Sequence, residues 1–341
     1  MTNKEIILSA IKLKYTERLP VIILSSGIWT YNRFGLSLQD LFDIPPEVAA
    51  DYVIENYKYL NLDLIWTAAD CNNLILRAIG AKTTFNVIGV AATVDEPLIT
   101  EPSDVDRFNI DDIENDPGID ALLKTTKIIS NRVGNEYLIG VSQWGPFTLS
   151  GQLMGTEKFM RMVMRDKEGT KHILEFAQKL ILKYLSLFLE AGAELVCLAE
   201  PSSSGDMISS RMFEKIALPY IQNTFNGVHA KAKMLHICGN TTKILDYIPQ
   251  TGAELFSMDY KVDLKLAREK LGGKVAFAGQ IDPVSVMLNG NTNDVEQAAL
   301  DCIRGAGLDG GYVLMPGCDL PPKTKIENVA AMVNTAHNIK L

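Results

Sequence analysis

From about residue 60 onward, short apolar runs alternate with longer stretches in which apolar residues return every three to four positions. The runs, rich in β-branched and aromatic residues, span 62–68, 85–91, 137–143, 194–199, 233–237, 254–258, 274–278 and 312–315. Helical patterns between the later runs span 169–191, 209–230, 241–250, 264–271 and 294–306. Strand–helix alternation over this length predicts an α/β chain, a (β/α)8 TIM barrel of parallel strands. The interval 87–120 fits the rhythm least, and its acidic, proline-containing part, 95–116, reads as an excursion of hairpin and loop. Upstream, Pro45-Pro46 marks the start of a helix over 47–59, and Pro20-Val21-Ile22-Ile23-Leu24 is a short apolar run suited to a strand. No repeat, low-complexity tract or Gly/Ser linker divides the chain. One domain, 1–341, is expected, with 1–60 as an N-terminal helical extension and 61–341 as the barrel.

A barrel of this kind gathers its chemistry at the C-terminal ends of its strands. The apolar runs here finish in polar side chains followed by turn formers: Ala68-Ala69-Asp70, Ser142-Gln143-Trp144-Gly145-Pro146, Ala199-Glu200-Pro201, His236-Ile237-Cys238, Ser257-Met258-Asp259, Gln280-Ile281-Asp282-Pro283 and Pro316-Gly317-Cys318. Residues two apart on a strand share a face, so His236 and Cys238 both fit the lumen of the mouth. Cys318, three strands away, reaches them only across that mouth. One imidazole and two thiolates suit a borderline-soft ion, zinc first. Three protein ligands with a fourth position open is the pattern of catalytic zinc, whereas a structural site is closed by four.

The other candidates have plainer readings. Cys197 lies inside an apolar run and Cys302 in a helix, so both read as core; Cys71, beside Asp70, reads as packing. His172 and His229 fall on helices as surface or structural residues, and His337 reads as solvated. The three tryptophans, Trp29, Trp66 and Trp144, are core by default. For Asp70, Glu200 and Asp282 a structural role, as cap or ion-pair partner, weighs equally with a functional one.

Composition narrows the classes. The chain has 341 residues, 47% of them hydrophobic, and a net charge of -8; its pI is about 5.2 and its mean hydropathy +0.07. An acidic balance argues against non-specific nucleic-acid binding. No apolar run is long enough to span a bilayer, so no membrane partner is expected. The start, Met1-Thr2-Asn3-Lys4-Glu5, leads into an amphipathic stretch unlike a signal peptide. Five scattered cysteines form no disulfide framework, which points to a reducing cytoplasm.

Three segments carry a resemblance: Ala199-Glu200-Pro201-Ser202-Ser203-Ser204-Gly205-Asp206, His236-Ile237-Cys238-Gly239-Asn240-Thr241-Thr242, and Met315-Pro316-Gly317-Cys318-Asp319-Leu320-Pro321-Pro322. They resemble the uroporphyrinogen decarboxylase superfamily, and within it the methylcobamide:coenzyme M methyltransferases and their bacterial relatives. The similarity runs from Lys4-Glu5 and Leu19-Pro20-Val21, through Gly145-Pro146-Phe147-Thr148, to Asn328-Val329-Ala330-Ala331-Met332. The decarboxylases of that superfamily carry an Arg-Gln-Ala-Gly-Arg segment that grips substrate carboxylates. Here the matching stretch reads Leu24-Ser25-Ser26-Gly27-Ile28-Trp29, without either arginine, so a polycarboxylate tetrapyrrole finds little to pair with. Asp70 lies near the position of the decarboxylase's catalytic aspartate. Related zinc methyltransferases place an acidic residue, often glutamate, at the end of the strand after the His-x-Cys pair, which here falls on Asp259 as a fourth ligand.

The resemblance therefore implies zinc held by His236, Cys238, Cys318 and Asp259, with Asp259 and Asp70 as candidate catalytic residues. It further implies a methylated corrinoid on a separate corrinoid protein as methyl donor and a small thiol such as coenzyme M as acceptor. Gln143, Glu200 and Ser203, in the last case through the Ser202-Ser203-Ser204-Gly205 loop, are candidate contacts to corrinoid or acceptor; the loop serves equally as a serine-rich turn at a helix start. A tetrahydrofolate acceptor, transfer in the reverse direction, and a non-catalytic zinc-stabilised barrel are the alternatives.

Overall fold

The computed structural model describes residues 1–339. Seven parallel strands form one curled sheet in the order β1 (Leu64–Thr67), β4 (Leu138–Trp144), β5 (Leu195–Ala199), β6 (Ala232–Ile237), β7 (Leu255–Met258), β8 (Ala276–Ile281), β9 (Tyr312–Pro316). Two-residue strands β2 (Thr83–Thr84) and β3 (Thr93–Val94) make a separate antiparallel hairpin. The seven strands are buried along nearly their whole length, as expected where both faces of a parallel sheet are covered. Helices cover the outer face. The longest, Lys167–Glu190, is capped by Asp166 and buries Ile173, Leu174, Ala177, Leu180, Ile181, Tyr184 and Phe188 at helical spacing. The result is a TIM-barrel-like fold.

Of the eight runs expected as strands, seven are strands of this sheet. The eighth position is taken by the 20–24 run. Ile22 donates to the Leu314 carbonyl at 3.1 Å, Leu314 to that of Pro20 at 3.0 Å, and Asp63 to that of Val21 at 3.0 Å. This segment therefore lies between β9 and β1, the two edges of the sheet, and the barrel begins inside the segment expected to be a helical extension. The remainder of that segment is helical at Asn3–Ile11, Gly27–Asn32, Asp40–Asp43 and Pro46–Leu60.

The run 85–91 is not a strand. It is the loop of the β2–β3 hairpin and leaves Val87, Ile88 and Val90 exposed. The acidic stretch after it forms two 3-10 turns, Pro102–Arg107 and Ile110–Asn115. Two helical patterns are less regular than expected: 209–230 is interrupted by a π-turn at Phe213–Ala217, and Thr242–Gln250 is a 3-10 helix. His337 is half-buried, with Nε2 2.8 Å from an Arg18 nitrogen. Burial, then the Arg18 charge, pushes it down to about 4, so it is neutral near pH 7. Among the described residues no helix is long and apolar enough to cross a membrane.

Candidate metal centre

Strand register decides which polar residues reach the lumen. Trp144 pairs with Ala199, Ala199 with His236, and His236 with Ser257. Directly paired residues of neighbouring parallel strands point to the same side, so this row faces inward as a unit. The Ser257 hydroxyl holds His236 Nδ1 at 2.9 Å and also approaches the Met315 sulfur at 3.6 Å. That contact orients the ring and leaves Nε2 facing Cys318 Sγ, 3.8 Å away. Cys238, two residues past His236, completes the group. The ligand atoms of His236, Cys238 and Cys318 all lie within 4.8 Å of one another. The closeness of the two thiols favours proton loss from Cys238 and, with burial, holds the proton on Cys318.

Donor type and spacing fit a zinc ion. One nitrogen and two sulfurs converge, one thiol is already biased toward thiolate, and the histidine has the outer hydrogen-bond partner that such ligands commonly have. Asp259 is not a member of this group. One of its carboxylate oxygens accepts the Gly239 N–H at 2.8 Å and the other the Lys261 N–H at 3.1 Å. Engaged by two amides, this carboxylate holds the turn after Cys238.

The cluster opens on a cavity of about 190 Å³. Asp70 and Asp319, from opposite edges of the sheet, line it together with Asn72, Asn73 and Trp144. The backbone brings the first two close. Gly27 packs so tightly on the 68–70 loop that a Cβ there would sit 2.2 Å from the Ala69 carbonyl oxygen. The Ile28 N–H then reaches Asp70 Oδ2 at 2.8 Å, and the Ser26 N–H reaches Asp319 Oδ1 at 2.8 Å. Ser26, Ala68 and Asp70 adopt φ of 48°, 54° and 59°, left-handed conformations that cost on the order of 1 kcal/mol each and gather at functional sites. Burial first, and then the Asp319 charge, pushes Asp70 up to about 8; burial also raises Asp319.

The residues expected to contact corrinoid or acceptor are placed elsewhere. Gln143 belongs to the opposite row, paired with Leu198 and facing the helices, and its Oε1 accepts the Trp144 N–H at 2.7 Å. Glu200, fully buried, accepts the Phe147 and Thr148 N–H groups, each at 2.9 Å, and the Thr148 hydroxyl at 2.7 Å. It caps the helix Pro146–Met154 from a neighbouring strand end. Gly145 leaves room for it, since a Cβ there would lie 2.2 Å from the glutamate side chain. Burial raises Glu200 to about 7 against those hydrogen bonds. Ser203 is buried and donates to the Glu200 carbonyl at 2.9 Å. None of the three lines the cavity. Trp144, expected as core, does line it, with Nε1 on Asn73 Oδ1 at 2.7 Å. Asp319 was not singled out as a site residue in the sequence, although it directly follows Cys318.

The chain is similar to known proteins in sequence and fold. The profile of the uroporphyrinogen decarboxylase family matches residues 2–339. Methylcobamide:CoM methyltransferase MtbA of Methanosarcina acetivorans is 31% identical over 242 residues, 68% of this chain and 69% of that protein. Methylcobamide:CoM methyltransferase MtaA of Methanosarcina barkeri is 26% identical over 97% of this chain and 96% of its own length. A solved structure described as a methyltransferase from Methanosarcina mazei superposes with a TM-score of 0.89, covering 98% of each chain at 24% identity, a likeness of fold.

Proposed function

The chain belongs to the uroporphyrinogen decarboxylase family, and on that premise we propose that it is a methyltransferase of the corrinoid-dependent kind, moving a methyl group from a methylated corrinoid to a thiol at a zinc ion held by His236, Cys238 and Cys318. The observation that carries this reading is the convergence of one imidazole nitrogen and two sulfurs within 4.8 Å beside a small cavity. The names of the relatives support the reaction class. Bound there, zinc supplies a Lewis acid that keeps a thiol as thiolate near pH 7, with a position left open for it.

The residues of the chain supply the rest. Ser257 fixes the imidazole so that Nε2 faces the thiols. Two cysteine sulfurs give the site negative charge, which keeps the acceptor sulfur nucleophilic. Asp259, through the Gly239 N–H, holds the turn that carries Cys238. The acceptor gives up its proton to solvent. Its sulfur lone pair then forms the new C–S bond while the Co–C bond breaks, and that electron pair stays on cobalt, which passes from Co(III) to Co(I). A cavity of about 190 Å³ suits a small thiol and is smaller than the roughly 300–1,000 Å³ of sites for larger ligands. The corrinoid therefore approaches from the mouth on its own carrier protein, and orientation of the two reactants supplies much of the rate.

The test is free methylcobalamin with a panel of small thiols and with tetrahydrofolate, followed by cobalamin absorbance, on protein of measured zinc content. Thiol-dependent demethylation by zinc-loaded protein is expected, with loss of at least about a hundredfold in Cys318→Ala. Full activity in zinc-free protein, or in Cys318→Ala, would contradict the reading.

A further inference from the structure

The cavity beside the cysteines has a charge pattern that methyl transfer to a thiol does not itself require. Besides the His236, Cys238 and Cys318 cluster, its polar lining is Asp70, Asp319, Asn72, Asn73, Ser25 and Ser142, and among the described residues no lysine or arginine lines it. Two carboxyl groups are held at the wall by backbone amides, Asp70 by Ile28 and Asp319 by Ser26. Asn72, 6% exposed, lines the same cavity. Two of the side-chain donors at the cavity are engaged. The Asn73 amide donates to the Ala92 carbonyl at 3.1 Å, and the Trp144 indole N–H donates to Asn73 Oδ1 at 2.7 Å.

We infer that the thiol accepted here carries a hydrogen-bond donor at its far end, an ammonium before a hydroxyl, and no anionic group. This rests on the reading of the site as a thiol-methylating centre and goes further by naming the acceptor's chemical class. It also separates this chain from the acceptor in its relatives' names, since coenzyme M is 2-mercaptoethanesulfonate and its sulfonate would meet two carboxyl groups with no cation to offset it.

Three thiols of equal length test the inference on zinc-loaded protein by titration calorimetry without methyl donor: 2-aminoethanethiol, 2-mercaptoethanol and 2-mercaptoethanesulfonate. The expected affinities fall in that order, with about a hundredfold between first and last. Asp70→Asn should narrow that span by about tenfold with zinc content unchanged. Tightest binding of the sulfonate, or an Asp70→Asn protein with an unaltered span, would overturn the inference. Parallel methylcobalamin turnover separates the two ideas. The expected binding order without methylation of any thiol sinks the proposed reaction and leaves the acceptor class standing; methylation with the sulfonate preferred sinks the acceptor class alone.

Discussion

Strand β1 is four residues long and has a carboxylate beyond each end, and the two have opposite surroundings. Asp63, just before the strand, is fully buried, receives Arg18 through two hydrogen bonds at 2.9 and 2.6 Å, and accepts the Val21 N–H at 2.7 Å. Asp70, just past the other end, faces a second carboxyl, Asp319, and stays partly open to the cavity. Burial raises both, but at Asp63 the Arg18 charge works against the rise, whereas at Asp70 the neighbouring charge adds to it. Neutral His337 joins the lower cluster beside Arg18. In this barrel the closed end satisfies its charges, while the mouth keeps like groups together, at a cost in stability, where a ligand can use them.

Three substitutions probe that contrast. Asp63→Ala should do most damage, because it leaves the half-buried Arg18 without its partner: about 2–4 kcal/mol of stability by denaturant titration, with thiol affinity of the folded protein unchanged. A loss below about 1 kcal/mol would mean that Asp63 and Asp70 do not differ in kind.

Asp70→Asn should have the opposite sign. A carboxyl whose folded value is raised binds more protons folded than unfolded. Wild-type protein therefore loses stability as pH climbs from about 4 toward about 8, and the substitution removes that slope. The variant should be more stable than wild type near pH 8, by about 1–2 kcal/mol, with the gap closing near pH 5. Denaturation midpoints of both proteins at the two pH values check this; a gap independent of pH would contradict it.

Glu200→Gln sharpens the comparison from the mouth. Glu200 lies at a strand end but is occupied as a cap, so the change should cost about 1 kcal/mol of stability by thermal melting and leave thiol affinity as it was. A tenfold drop in thiol affinity would place Glu200 with Asp70 and not with Asp63.

Much of this was legible in the sequence, and the failures share a cause. Strand–helix alternation gave seven of the eight barrel positions; the 20–24 run that fills the eighth stood out only as a short apolar run within the expected helical extension. The run 85–91 has the composition of a strand, but Val87, Ile88 and Val90 are 46%, 51% and 46% exposed. At the mouth, a polar residue ending an apolar run was a sound pointer to position but not to direction. His236 and Cys238 face the lumen by their two-residue spacing, whereas Gln143 is one residue out of phase with Ser142 and Trp144, which line the cavity. Glu200 was claimed by a helix start that needed a cap, and Asp259 by two loop amides. The Asp70–Asp319 pair could not be read from spacing, because closure of the barrel is what brings the two edges of the sheet together.

The central claim is that the mouth holds a thiol-binding zinc. X-ray absorption at the zinc edge of the loaded protein, before and after addition of a small thiol, tests it directly. The account predicts two sulfur neighbours from Cys238 and Cys318 and one imidazole from His236, rising to three sulfurs when the thiol binds. An unchanged sulfur count at saturating thiol, or protein that takes up no zinc, would contradict it.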